Sequence, residues 1–267
     1  MPGAAFAENV RLQDVESPEL KEGLTAATSG QYTKAEMIFS RMLAVDPSAA
    51  SVWSNLGNVH MSQGRAKQAF DDYSHAVDLA PYAPVPYLNR AIALEELGLQ
   101  LQSQGRPEEA SARWREALAD CASAIERDPK EFAAHFNKGN VELRLQDWTA
   151  AAASFSQAAD LAPGIPGYRL RAAQLQYQVG QVDTAVRTVK GVLRKNPNYA
   201  EAHTTLAAML WSQGQLAAAE GQLEAALELG GRWRDAEWVL ANTRWPPSLN
   251  AALTKLVAME QSPVQQQ

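Results

Sequence analysis

The chain has 267 residues, 46% of them apolar, with 24 Lys and Arg against 30 Asp and Glu, for a net charge of −6. That balance excludes a general phosphate-binding surface, which needs clustered cations, and the single cysteine, Cys121, excludes an internal disulfide and any multi-cysteine metal site. No apolar run reaches the ~18 residues of a membrane-spanning helix.

Residues 1–15 open Met-Pro-Gly-Ala-Ala-Phe-Ala and then turn polar, which predicts an extended leader. Ala5-Phe6-Ala7 has the form that signal peptidases cut after, yet neither a basic nor a long apolar stretch precedes it. Two readings stay open: the stub of a cleaved targeting sequence, or an ordinary start rich in small residues.

From residue 16 onward a period takes over. Prolines stand at 47, 81, 129, 163 and 197, and a Gly-Gly pair stands at 230–231 where the next is due. The steps are 34, 48, 34, 34 and 34 residues, a spacing that marks stacked helix–turn–helix units. Six repeats are predicted, at 16–49, 50–83, 84–131, 132–165, 166–199 and 200–233, the third carrying 14 extra residues. Within each, the same residue types recur. The second shows Trp53, Leu56, Gly57, Gly64, Ala69, Tyr73, Ala76 and Pro81; the first shows Gly23, Gly30, Ala35, Phe39 and Pro47. Small residues are expected where the paired helices cross, and Phe39, Tyr73 and Phe155 are expected to fill the gap to the following repeat. Glycine permits the turn, and proline opens the next unit where its missing N–H costs little.

The long third repeat admits two descriptions, a first helix ending at Gly98 with a loop to Pro107, or a helix running on to a turn at Gly105-Arg106-Pro107. Ala110, Trp114, Ala117, Leu118, Cys121, Ala124 and Ile125 form one unbroken stripe at helical spacing, which favours the second. Each helix then gains seven residues, which return to within ~20° of the same face, and the hairpin protrudes by roughly 10 Å. Leu99, Leu101 and Arg106 would lie on this prong, which is either a neutral insertion or a docking element.

After residue 233, residues 234–243 suit a short capping helix, Pro246-Pro247 end it, and 248–258 suit a last amphipathic piece covering the final repeat; 234–260 is thus a C-terminal cap. The other reading makes Trp245, Pro246 and Pro247 a docking epitope. Residues 261–267 are predicted to be a disordered tail.

These residues resemble the tetratricopeptide repeat (TPR) consensus over residues 16–233. The resemblance implies an all-α fold, a right-handed TPR α-solenoid of six helix–turn–helix repeats with an extended third hairpin and a C-terminal capping helix. It also implies that the first helix of each repeat lines an inner face. The sixth position of the first helix holds Asn55, Asn89 and Asn137, and the ninth holds Asn58 and Asn140. Such a ladder can grip the backbone of an extended peptide, or bond within the array. Phe136, Tyr177 and Trp211 add apolar contacts to the implied groove. The family's clamp for chaperone C-terminal carboxylates needs cations where this chain has Ser54, Ala133 and Asn137, so that ligand is excluded.

The expected partner is therefore another protein, held as an extended or helical segment or docked on the prong, with no nucleic acid and with membranes reached only through a partner. No enzyme is expected: His60, His75, His135 and His203 are dispersed, and no phosphate loop, nucleophile elbow or metal motif appears. Catalytic residues, cofactors and metals are all expected to be none.

The Glu8-to-Pro18 leader (E-N-V-R-L-x-D-V-E-S-P), the long third unit and the W-R-D-x-x-W-V…R-W-P-P-S-L tail look like a group of plastid and cyanobacterial TPR proteins. That resemblance implies a chloroplast protein of the thylakoid lumen or lumenal face that helps assemble or stabilise photosynthetic complexes; a cytoplasmic or periplasmic adaptor of an unrelated pathway stands beside it.

Overall fold

The computed structural model describes residues 17–260; the predicted leader and the tail from 261 lie outside the described residues. Among those described, fourteen α-helices and one 3-10 turn make up the regular structure, with no strand. Two compact units part between Gln146 and Asp147. The first holds α1 (Pro18–Thr28), α2 (Tyr32–Val45), α3 (Ala50–Ser62), α4 (Ala66–Leu79), α5 (Pro84–Ser103), α6 (Pro107–Arg127) and α7 (Phe132–Arg144). The second holds α8 (Trp148–Leu161), α9 (Pro166–Gln178), α10 (Val182–Lys195), α11 (Ala200–Ser212) and α12 (Leu216–Leu229). A 3-10 turn (Gly231–Arg234), α13 (Ala236–Asn242) and α14 (Pro247–Glu260) follow. The boundary falls inside the predicted repeat 132–165, whose first helix is α7 and whose second is α8.

Three hairpins of the first unit close over one recurring contact. A Cβ built on Gly23 would stand 2.5 Å from the Phe39 ring, and one on Gly57 would stand 2.5 Å from the Tyr73 ring. Both aromatics are fully buried. They pack first over the glycine of their own hairpin, with Tyr73 also reaching Ala93 of the next, rather than simply filling the gap between repeats. The prong repeats the device. A Cβ on Gly98 would stand 2.1 Å from Trp114 Nε1, and the same sixteen-residue separation joins 23 to 39, 57 to 73 and 98 to 114. Gly98 therefore does not end a helix. It lies within α5, which has 20 residues against 13 in α3, while α6 has 21 against 14 in α4. One heptad in each helix adds a complete crossing layer, Gly98 with Trp114, above the layer of Ala91 and Cys121.

A second recurring device ties four of the first helices, α3, α5, α7 and α11, to the turn before them. Trp53 Nε1 donates to the Pro47 carbonyl (2.9 Å), and Tyr87 hydroxyl to that of Pro81 (3.3 Å). His135 Nε2 donates to Pro129 (3.1 Å) and His203 Nε2 to Pro197 (2.8 Å). Two of the four histidines thereby have a structural explanation. His60 has another: its Nδ1 lies 2.5 Å from Asp72 Oδ2 and its Nε2 3.4 Å from Glu36 Oε1. Arg65, Gln63 and His60 together hold the Glu36 carboxyl down at about 2, Arg65 contributing most. Burial raises the Asp72 carboxyl against the opposing pull of His60.

The six turns that follow a first helix, within the hairpins, each use a left-handed residue, and at five of them it is a glycine with φ between 74° and 82°. At the turn after α7 it is Gln146, φ 60°. A side chain there costs ~1–2 kcal/mol, partly offset by glycine's greater freedom in the unfolded chain. Gln146→Gly is expected to raise the unfolding free energy by ~0.5–1 kcal/mol, measured by urea denaturation followed by circular dichroism.

Candidate functional site

The face formed by the first helices of the first unit carries the asparagine ladder, and most of it is buried. Asn89 is fully enclosed, Asn137 is 2% exposed, and Asn55 and Asn140 are 6% exposed. Asn58 is half-buried; its Oδ1 accepts from the Tyr73 hydroxyl at 2.7 Å and from Asn89 Nδ2 at 3.4 Å. Asn137 Nδ2 donates to the Ala133 carbonyl at 2.8 Å. The ladder therefore bonds within the helix stack at Asn58, Asn89 and Asn137, and two buried acceptors, Asn89 Oδ1 and Asn137 Oδ1, have no hydrogen-bond partner. What this face presents outward is mixed in character. Phe136, Leu143, Glu96 and Arg144 are half-buried, and Arg144 Nε donates to Glu95 Oε1 at 3.0 Å.

On the prong, Leu99 and Leu101 are half-buried against the Trp114–Cys121 cluster, and burial drives the Cys121 thiol far above its ordinary range. Arg106 is exposed and forks onto Glu109 with two bonds of 2.6 Å. A cleft of about 340 Å³ opens beside them, lined by Phe70, Leu97, Leu101, Lys67 and Arg113.

In the second unit the corresponding face is already occupied. Helix α14 packs on α9 and α11, and its Leu249, Leu253 and Leu256 are fully buried in a core shared with Leu170, Leu206 and Met209. Tyr177 and Trp211 are half-buried against this same core. Polar groups of α9 and α11 fasten the approach. Trp245 Nε1 donates to Glu201 Oε1 at 2.9 Å, and Arg171 Nη1 to the Arg244 carbonyl at 2.8 Å. The Ser248 amide and hydroxyl both donate to Gln178 Oε1, at 3.0 and 2.5 Å. Burial pulls the Arg171 guanidinium below its ordinary range, with Glu201 opposing.

One expectation is extended here and one changes. The C-terminal cap lies on the last repeat, with the 3-10 turn on α12 and α14 on α11, and α14 reaches on across α11 to α9. The Trp-Pro-Pro segment is not an exposed epitope. Trp245 is 6% exposed, Pro246 is buried, and Pro247 is exposed at the first position of α14. Sequence reasoning did not identify Arg171, Gln178 and Glu201 as the groups that hold this segment. The available signal was the spacing of Leu249, Leu253 and Leu256, which gives one apolar face seeking a groove.

Paired helices that cross on small residues, glycine at 23, 57 and 98 in the first unit and fully buried alanine at 173 and 207 in the second, and that repeat every 34 residues define an α-solenoid of helical hairpins in each unit. Models of the tetratricopeptide repeat match residues 48–119, 95–166, 142–209 and 198–232. The chain belongs to the tetratricopeptide repeat family, whose members act as protein-interaction scaffolds. Among curated relatives it is 30% identical, over 115 residues, to the Photosystem I assembly protein Ycf3 of Rippkaea orientalis, covering 42% of this chain and 66% of that protein. It is 29% identical over 112 residues to human DnaJ homolog subfamily C member 7, covering 42% and 20% of the two chains. It is 33% identical over 121 residues to intraflagellar transport protein 70A of Bos taurus, covering 45% and 18%. The chain thus spans less than two thirds of the length of these relatives. Among solved structures, a tetratricopeptide repeat protein of Parabacteroides merdae superposes with a TM-score of 0.61 at 18% identity, over 90% of this chain and 97% of that one. YrrB, described as having an unusual peptide-binding site, superposes with a TM-score of 0.59 at 16% identity, over 76% and 96%. Both likenesses are of fold.

Among the described residues no cluster of three or more His, Cys, Asp or Glu is placed to hold a metal, and no helix is long and apolar enough to cross a membrane.

Proposed function

We propose that the chain is a non-catalytic scaffold that helps assemble or stabilise a photosynthetic membrane complex, or is bound to one as an accessory subunit, at the thylakoid lumenal face. The observation that carries this reading is the 30% identity to a Photosystem I assembly protein over 115 residues, together with the leader and tail that resemble plastid and cyanobacterial TPR proteins. The partner surface belongs to the first unit, on the face carrying Asn58, Asn140 and Phe136, with the prong beside it. In the second unit α14 fills the equivalent face, which leaves it less available. A general adaptor outside photosynthesis is the second reading, supported by matches of similar identity to the DnaJ homolog and the intraflagellar transport protein.

Affinity purification of the tagged chain from thylakoids, followed by mass spectrometry, separates the two. Recovery of photosystem subunits or assembly factors supports the first reading, and their absence from a preparation rich in other proteins supports the second. On the recovered partner, Phe136→Ala is expected to weaken binding by about tenfold while helix content is retained. Unchanged affinity would move the contact to the prong or the outer face.

A further inference from the structure

In the first unit six of the eight described arginines are engaged by a carboxylate: Arg41 with Glu19, Arg65 with Glu36, Arg90 with Asp120, Arg106 with Glu109, Arg113 with Glu116 and Arg144 with Glu95. Arg127 bonds two carbonyls and the Tyr87 hydroxyl instead, and Arg115 is exposed without an ion pair among the described residues. Helix α10 departs from that habit. Its Arg187, Lys190, Arg194 and Lys195 are all exposed, and none of them has an ion pair among the described residues. Arg187 makes only a neutral bond, to Thr184 Oγ1 at 3.1 Å. Four unpaired cations on one helix stand out in a chain whose net charge is −6.

Three of them border a recess. Arg187, Lys190 and Arg194 line an open cleft of about 730 Å³ with Leu193 and Leu206 among its apolar walls. His203 forms another side and is held in place, with Nδ1 2.8 Å from Gln222 Oε1 and Nε2 bonded to the Pro197 carbonyl. No carboxylate lines this cleft. Residues 187, 190 and 194 follow the three- and four-residue spacing of one helix face, and together span roughly 10 Å. The cleft lies away from α14: on α11, Glu201 bonds Trp245, whereas His203 projects ~200° away around the same helix. A second recess of about 560 Å³ opens on the other side of Arg194, beside Gly191 and Lys195. A Cβ at Gly191 would meet only the Arg194 guanidinium, at an unstrained 3.8 Å. Alanine would therefore fit and would favour the helix, so packing does not require the glycine that keeps this surface open.

We propose that this cleft binds an acidic amphipathic helix of another protein, its carboxylates paired with Arg187, Lys190 and Arg194 and an apolar side chain seated on the half-buried Leu193. The apolar walls favour a peptide over a phosphate backbone, and the negative net charge opposes nucleic acid. This site is separate from the first-unit face and stands or falls independently of the photosynthetic reading.

The test uses the full chain and a fluorescein-labelled helical peptide bearing Glu at three- and four-residue spacing with Leu between. A peptide with Gln at every Glu position is the control, and both are followed by fluorescence anisotropy at low and high salt. The expected result is salt-sensitive binding of the Glu peptide, weakened at least ~10-fold by the combined Arg187→Glu, Lys190→Glu and Arg194→Glu variant. A variant with the same net charge change on other exposed cations, Lys21→Glu, Lys130→Glu and Lys255→Glu, is expected to stay within ~2-fold. Circular dichroism establishes that both variants are folded. Equal loss in the two variants, equal binding of the Gln peptide, or no binding at all overturns the proposal. So does displacement of the peptide by a single-stranded RNA oligomer at lower concentration than unlabelled peptide, which assigns the cleft to nucleic acid. Self-association of the wild type that the α10 variant abolishes overturns it in favour of a second copy of the chain.

Discussion

Trp114→Ala is expected to lower the unfolding free energy by about 3–5 kcal/mol, the usual cost of emptying an aromatic site in a packed interior. Trp114 is 3% exposed and its Nε1 donates to the Glu95 carbonyl at 3.2 Å, so the substitution loses a hydrogen bond as well as packing. The more telling measurement is a double-mutant cycle with Gly98→Ala. Alone, Gly98→Ala sets a Cβ 2.1 Å from the indole nitrogen and must displace α5 from α6, which destabilises. With Trp114 already truncated that obstacle is gone, and alanine's helix preference of about 1 kcal/mol over glycine makes the same change favourable. A reversal of sign, measured by urea unfolding of the single and double variants, is the expected outcome. Additive losses would show that the layer added by the two heptads is not held by this contact.

Leu253→Ala is expected to cost about 2–5 kcal/mol and to loosen the second unit. Leu253 is fully buried on α14, between Leu249 and Leu256, in the core that also contains Leu170 and Leu206. The damage should extend beyond α14 because α9 and α11 both rest on it. Hydrogen exchange is the sharper readout: amides of α9 and α11 are expected to lose protection in the variant while those of α3 and α5 do not. Uniform loss across both units would contradict a separate core for residues 147–260.

The helix count and hairpin spacing were legible because they rest on local steric demands. A proline opening a helix, a glycine turning left-handed and a glycine beneath an aromatic ring each leave their mark at a fixed position. The prong was legible for the same reason, since the stripe from Ala110 to Ile125 stays in phase through the added heptad. Gln146 was not legible, because nothing in a glutamine announces a φ of 60°; only its place in the period does. The asparagines showed their spacing but not their surroundings. Whether Asn89 faces a ligand or a neighbouring Asn58 depends on how closely α3 and α5 approach, a tertiary quantity. The placement of α14 was least legible. Its apolar face could have met the end of α12 or the side of α9 and α11, and the choice rests on pairings separated by tens of residues, such as Ser248 with Gln178 and Trp245 with Glu201.

That placement has a thermodynamic consequence. Only a short link, from Thr243 to Pro246, joins α13 to α14, so the α9–α11 face meets its own helix at an effective concentration on the order of millimolar. A foreign helix of equal intrinsic affinity must reach a comparable free concentration to take half of the sites. A rival must therefore overcome the tether as well as match the contacts that hold α14.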